Sequence, residues 1–141
     1  MEFTPTELFT PKEKAQLPLV RRGMYEVGNN PDGGTAYKLI HTAVVPLAVK
    51  TGTAQVVGIS QTTKKRMKEA DMDYFHRSHA WMTSFGPYDK PQYAVTVLVE
   101  HGGGGGSAAG PVIMQIYEKL VQMGYIDANA TTSKDSAKKT K

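Results

Sequence analysis

Four consecutive residues, Lys50-Thr51-Gly52-Thr53, place a cation, hydroxyl groups and a glycine within an apolar stretch. The lysine attracts a carboxylate, and the threonine hydroxyls can donate hydrogen bonds to it. Gly52 lets a ligand approach the backbone closely. The tetrapeptide therefore suits an anion-binding site, although Lys-Thr-Gly also arises by chance in unrelated proteins.

The neighbouring residues predict that this tetrapeptide lies on a β-strand. Residues 48–57 are mainly small, apolar or β-branched, which is typical of strands. A lysine within such a strand needs an anionic partner, because an unpaired buried charge is strongly unfavourable. We therefore expect Lys50 to belong to a binding site.

Several other side chains could carry chemistry, but structural roles fit them better. His76 and His79 have the spacing of a metal-binding pair, yet no convergent third ligand is obvious. We expect His79 to cap the strand that it begins. Ser107 lacks an obvious general base nearby and is expected to cap a helix N-terminus. Trp81 and Phe85 alternate along one strand and are expected in the core.

Length and composition exclude several classes of function. The 141 residues suffice for one domain with a hydrophobic core, and the absence of cysteine excludes disulfide bonds and thiol catalysis. The net charge of +4 derives mostly from residues 131–141, which argues against nucleic acid as a partner. There is no signal peptide and no apolar run of the ~20 residues that span a bilayer, so the chain as given is expected to be soluble.

Helix signals are clearest near the N-terminus. Thr10, Pro11 and Glu13 predict a helix start with a capping box. A second helix is predicted to follow and to end in the turn-rich residues 29–34, while residues 35–45 are interpreted as an extended lead-in to the Lys50 strand. The apolar face of the second helix consists of Leu17, Val20, Met24 and Val27.

Two more strands are predicted after a long, mobile connection at residues 58–78. They are residues 79–85 and 93–100, and the short turn between them predicts an antiparallel hairpin. The near-continuous apolar character of the second of these strands favours burial on both faces. The predicted fold class is α+β, an antiparallel sheet of three strands packed with helices.

A run of glycines, Gly102–Gly106, precedes the last predicted helix. A flexible engineered linker is possible, but a native strand-to-helix loop fits better because Pro111 follows at a plausible first helical turn. The helix is predicted over Val112–Met123, with Gly124 as its C-terminal stop. Residues beyond Ala128 have the composition of a disordered tail.

Five sequence blocks, in this order, resemble the C-terminal part of the transpeptidase domain of class B penicillin-binding proteins. The likeness is greatest to the penicillin-binding protein 2 subfamily, which acts in cell elongation. Together the blocks cover about residues 17–120, and the ordered set is specific where a single block is not. The blocks are Arg22–Val27, Gly34–Ala36, Lys50–Gln55, His79–Tyr88, and Val95–Glu100 with the glycine run.

The resemblance implies a penicillin-binding/serine β-lactamase-like domain that needs no cofactor or metal. In that family a serine attacks the D-Ala-D-Ala bond of a peptidoglycan stem peptide, and an amine resolves the acyl-enzyme into a cross-link. On matching positions, Lys50, Thr51, Gly52 and Thr53 would bind the substrate, chiefly through its carboxylate. The Thr53 backbone N–H would be an oxyanion-hole donor and thus catalytic.

The chain departs from the family pattern in its missing nucleophile. No Ser-x-x-Lys motif precedes Lys50, and the one at Ser136–Lys139 lies in the predicted tail. We therefore expect residues 1–128 to be the C-terminal portion of a transpeptidase domain, residues 129–141 to be a disordered basic tail, and the chain alone to be inactive. The parent protein would work at the periplasmic face of the bacterial inner membrane.

The implied partners are stem peptides, β-lactams, the missing N-terminal part of the same protein and elongation-complex scaffold proteins, but not nucleic acid. Two alternatives stay open. A β-lactamase or β-lactam sensor would share the fold and would be recognised by nitrocefin turnover of the full protein. A non-catalytic docking module of the elongation machinery would use an open strand edge.

Overall fold

The computed structural model describes residues 6–58 and 67–127, so the predicted tail and the Ser136 motif lie outside the described residues. The helices are α1 (Pro11–Lys14), α2 (Leu17–Asn29), α3 (Tyr37–Ile40) and α4 (Gly105–Gln122), and the strands are β1 (Ala48–Ala54), β2 (His79–Gly86) and β3 (Tyr93–Val99). Short 3₁₀ turns at Glu69–Asp71 and Tyr74–His76 lie between β1 and β2. Within the described ranges, no helix has the length and apolar character needed to cross a membrane.

The strands form one antiparallel sheet in the order β1–β2–β3. Gly52 of β1 pairs with Trp81 of β2, and Trp81 pairs with Leu98 of β3. The predicted hairpin and the α+β arrangement are therefore confirmed. Because β2 is central, β1 and β3 are the edge strands of the described sheet.

The inner face of the sheet packs against α4 and forms the core. Alternation along β2 directs Ala80, Met82 and Ser84 to this face, where all three are buried. α4 contributes Ile113 and Tyr117, which have no exposed surface. The other buried members of the core are Ala36, Ile40, Val45, Leu47, Val49, Ala109 and Ile126.

The outer face of the sheet is partly exposed in the described chain, which makes two predictions wrong. Trp81 is 40% exposed, because the alternation that buries Met82 turns its neighbour outward. Phe85 lies on the same face, half-buried beneath the Arg21 guanidinium at 5.7 Å from the ring centroid, and not in the core. On β3, Leu98 is 42% exposed, so this strand is partly buried on its inner face and exposed on its outer face, not buried on both.

The first helices agree with the sequence in part. In the capping box of α1, the Thr10 hydroxyl accepts a hydrogen bond from the Glu13 N–H at 3.3 Å, and the Glu13 carboxylate accepts one from the Thr10 N–H at 2.8 Å. α2 is confirmed, but its apolar stripe is incompletely covered, since Val20 is 56% exposed. α3 occupies the segment predicted to be extended, because packing of buried Ile40 near Gly28 of α2 outweighs local preference.

α4 begins earlier than the sequence predicts. Its N-cap is Gly104, so the end of the glycine run is helical and Pro111 lies inside the helix instead of at its start. Ser107 is therefore not the N-cap, and its hydroxyl donates to the Gly104 carbonyl at 3.0 Å. Gly124 ends the helix as predicted, with a φ of +75° that favours glycine.

Candidate functional site

The tetrapeptide lies on β1, as predicted, at a sheet edge that has no partner strand among the described residues. The register places Lys50 opposite Thr83, so Lys50 and Gly52 belong to the outer face. Thr51 and Thr53 belong to the inner face, toward the start of α4. The edge thus presents an ammonium from one side and hydroxyls from the other.

The Lys50 ammonium is exposed and donates a hydrogen bond to the Thr51 carbonyl at 2.6 Å. The sequence predicted that Lys50 needs an anionic partner because its charge would be buried, but the side chain is exposed and reaches solvent. Within residues 6–58 and 67–127 no side-chain carboxylate pairs with it. Such an ammonium can turn toward an incoming carboxylate without leaving a buried charge unpaired.

Thr53 contacts the first residue of α4. The Gly105 N–H donates to Thr53 Oγ1 at 3.3 Å. A hydroxyl has one proton and two lone pairs, so this bond leaves the Thr53 proton available to a ligand. The approach requires a glycine at position 105, because a Cβ there would lie 2.2 Å from the Gly52 carbonyl oxygen.

The N-terminus of α4 makes this edge electrostatically favourable for an anion. α4 has 18 residues, and its first turn packs against β1, where a Cβ on Gly106 would lie 3.7 Å from Thr51 Cγ2. The N–H groups at a helix start carry a partial positive charge. This partial charge and the charge of the Lys50 ammonium both attract an anion to the edge.

Further residues that support the edge were missed in the sequence. The Gly103 N–H donates to the Ser78 carbonyl at 2.8 Å. The Glu69 carboxylate in turn accepts hydrogen bonds from the Ser78 N–H at 2.9 Å and from its hydroxyl at 2.7 Å. These hydrogen bonds join separate segments of the chain, and the glycine run is the only part of them that stands out in the sequence.

The histidine pair and Ser107 do not extend the site. His79 Nδ1 accepts a hydrogen bond from the His101 N–H at 3.0 Å, which anchors the start of β2. His76 is exposed, with its Nδ1 3.9 Å from the Asp73 carboxylate. Across the described ranges, no three His, Cys, Asp or Glu residues cluster closely enough to hold a metal ion. The Ser107 hydroxyl is hydrogen-bonded to the Gly104 carbonyl at the start of α4.

Relatives of known sequence match over most of the chain. Residues 7–118 match the family described as penicillin binding protein transpeptidase domain. The chain is 40% identical over 104 residues to peptidoglycan D,D-transpeptidase MrdA of Escherichia coli K12, which is 73% of this chain and 16% of that protein. It is 37% identical over 112 residues to MrdA of Haemophilus influenzae, which is 79% of this chain and 17% of that protein. The chain thus spans about a sixth of the length of these relatives.

Solved structures of penicillin-binding proteins are also similar to this chain. Helicobacter pylori PBP2, in a complex with MreC, superposes with a TM-score of 0.71 and 47% identity over 84% of this chain and 19% of that chain. Pseudomonas aeruginosa PBP2 superposes with a TM-score of 0.62 and 31% identity over 86% of this chain and 23% of that chain. The resemblance found in the sequence blocks is therefore confirmed, and the chain belongs to the penicillin-binding protein transpeptidase domain family.

Proposed function

We propose that this chain is part of a peptidoglycan D,D-transpeptidase of the penicillin-binding protein 2 type. The observation that carries the proposal is the β1 edge, where exposed Lys50, the Thr53 hydroxyl and the N-terminus of α4 meet beside Gly52. The relatives from Escherichia coli and Haemophilus influenzae are named D,D-transpeptidases, which supports this activity over that of a β-lactamase or a docking module.

In the proposed reaction, this chain binds and orients the substrate. Lys50 and the hydroxyls of Thr51 and Thr53 hold the terminal carboxylate of a D-Ala-D-Ala stem peptide through charge-assisted hydrogen bonds. The substrate then lies along β1, and its scissile carbonyl oxygen is directed at the Thr53 N–H. One oxyanion-hole donor typically contributes ~10²–10³ in rate. The nucleophilic serine comes from a part of the protein outside this chain.

The proposed ligands and partners follow from this arrangement. β-lactams carry a carboxylate and a reactive acyl group, so they occupy the same edge. The preceding part of the same protein covers the outer face that carries Trp81 and Leu98. The solved Helicobacter pylori PBP2 is in a complex with MreC, which supports a scaffold of this kind as a partner of the intact protein. The site of action would be the periplasmic face of the inner membrane.

The intact protein that contains this chain provides the test. With a fluorescent penicillin it should form a stoichiometric covalent adduct that is released slowly. Rapid nitrocefin turnover by the same protein would instead indicate a β-lactamase. Absence of any adduct at a saturating concentration would contradict the proposed function.

A further inference from the structure

Glu69 lies outside the β1 edge, but a series of hydrogen bonds connects Glu69 to Thr53 on that edge. Its two carboxylate oxygens accept separate hydrogen bonds from one residue, at 2.9 Å from the Ser78 N–H and at 2.7 Å from the Ser78 hydroxyl. Ser78 is only 3% exposed. Because hydrogen bonds to a charged acceptor are stronger than neutral ones, this pair holds the residue before β2 in one position.

Because Ser78 is held in one position, its backbone also restrains the glycine run. Its carbonyl accepts the Gly103 N–H at 2.8 Å. Gly103 has a φ of +77°, and a Cβ on it would lie 3.4 Å from Glu69 Cβ. The run therefore packs directly against Glu69 in a backbone conformation that favours glycine.

The end of the glycine run contacts the candidate site directly. Gly105 follows Gly103 closely in the chain, and its N–H donates to Thr53 Oγ1 at 3.3 Å. While this N–H occupies a lone pair of the hydroxyl, the Thr53 proton is directed elsewhere and can be donated to a ligand. If Gly105 moved away, the hydroxyl could rotate and lose this orientation.

We propose that Glu69 is a positioning residue for Thr53, acting through Ser78 and the glycine run. The inference rests on the proposed function, in which Thr53 binds the carboxylate of the substrate. A carboxylate is needed because two donors of Ser78 require two acceptor oxygens. Glutamine has one acceptor oxygen, and its amide group would face one of the two donors.

A double-mutant cycle in the intact protein separates positioning from general support of the fold. The rate constant for acylation by fluorescent penicillin is measured for the wild type, Glu69→Gln, Thr53→Val and the double variant. Glu69→Gln should lower it about tenfold when Thr53 is present and less than about twofold in the Thr53→Val background, because coupled residues are non-additive. Glu118→Gln, which removes an exposed carboxylate from α4, should leave the rate constant unchanged.

Equal losses in both backgrounds, or no loss from Glu69→Gln, would overturn the proposal. If Glu69→Gln fails to fold, Ser78→Ala, which removes only the hydroxyl bond, replaces it in the cycle with an expected loss of about threefold. If the wild type is not acylated, the proposed function fails and amide hydrogen exchange decides this inference separately. Glu69→Gln should then speed exchange at Gly103 and Gly105 about tenfold while the β2–β3 ladder is unchanged, and unaltered exchange at both glycines would contradict it.

Discussion

At the scale of single residues, Gly105 is the point at which the glycine run meets the candidate site. A Cβ at this position would lie 2.2 Å from the Gly52 carbonyl oxygen and 2.6 Å from the Trp81 carbonyl oxygen. Both oxygens belong to the backbone of paired strands and cannot rotate away. Any side chain at position 105 must therefore separate α4 from the sheet.

Gly105→Ala should lower the free energy of unfolding by ~1–3 kcal/mol, as overpacking usually does. The matched control is Gly23→Ala within α2, where a Cβ would meet nothing within 4 Å. This control should be neutral or stabilising by up to ~1 kcal/mol, because alanine favours helix. Urea unfolding measures both, and equal effects would show that the contact with β1 is unimportant.

The sequence predicted some residues of the candidate site and not others for a physical reason. Lys50 and Thr53 could be placed on a strand, because strand composition is a local property. Gly105 and Glu69 could not be assigned to the site, because their roles arise from contacts between distant segments. Trp81 was misplaced since alternation shows which residues share a face, but not which face the rest of the molecule covers.

At the scale of secondary-structure elements, Tyr117 links α4 to β3. Its hydroxyl donates to the Tyr93 carbonyl at 3.1 Å, and the Ser84 hydroxyl donates to it at 3.4 Å. Burial raises the pKa of Tyr117, and the Ser84 hydrogen bond only partly opposes the shift. A pKa raised above its unfolded value means that the neutral side chain stabilises the fold below the unfolded pKa, and that this stability is lost as the pH rises through the folded pKa.

The wild type should therefore lose stability as the pH rises above the ordinary tyrosine pKa of 10.0. Tyr117→Phe should flatten this alkaline decline, because phenylalanine has no proton to lose. Thermal unfolding measured from neutral to alkaline pH checks this, with Tyr125→Phe at an exposed position as the control. Identical pH profiles for Tyr117→Phe and the wild type would refute it.

The two faces of the sheet should differ in their sensitivity to truncation. Met82 has no exposed surface, so Met82→Ala should lower the free energy of unfolding by ~2–5 kcal/mol. Leu98 is 42% exposed, so Leu98→Ala should lower it by less than ~1 kcal/mol. Denaturant midpoints measure both, and comparable losses would mean that the outer face is also covered.

At the scale of the whole molecule, the chain is a sheet with α4 on one face and an incompletely covered second face. The α+β class and the hairpin could be predicted, because they depend on local patterns and short turns. The exposure of the outer face of β3 could not be predicted, because its near-continuous apolar sequence is typical of a strand covered on both faces. The chain spans about a sixth of its relatives, and we propose that the remainder covers this face.

We propose that Lys50 and its strand bind the substrate carboxylate, and the kinetics of acylation depend directly on this contact. The second-order rate constant for labelling of the intact protein by fluorescent penicillin should fall about 10- to 100-fold in Lys50→Ala, the loss expected for a charged hydrogen bond. Lys38→Ala, which removes an exposed lysine from α3, should leave this rate constant unchanged. If Lys50→Ala is acylated as fast as the wild type, β1 is not the carboxylate-binding strand.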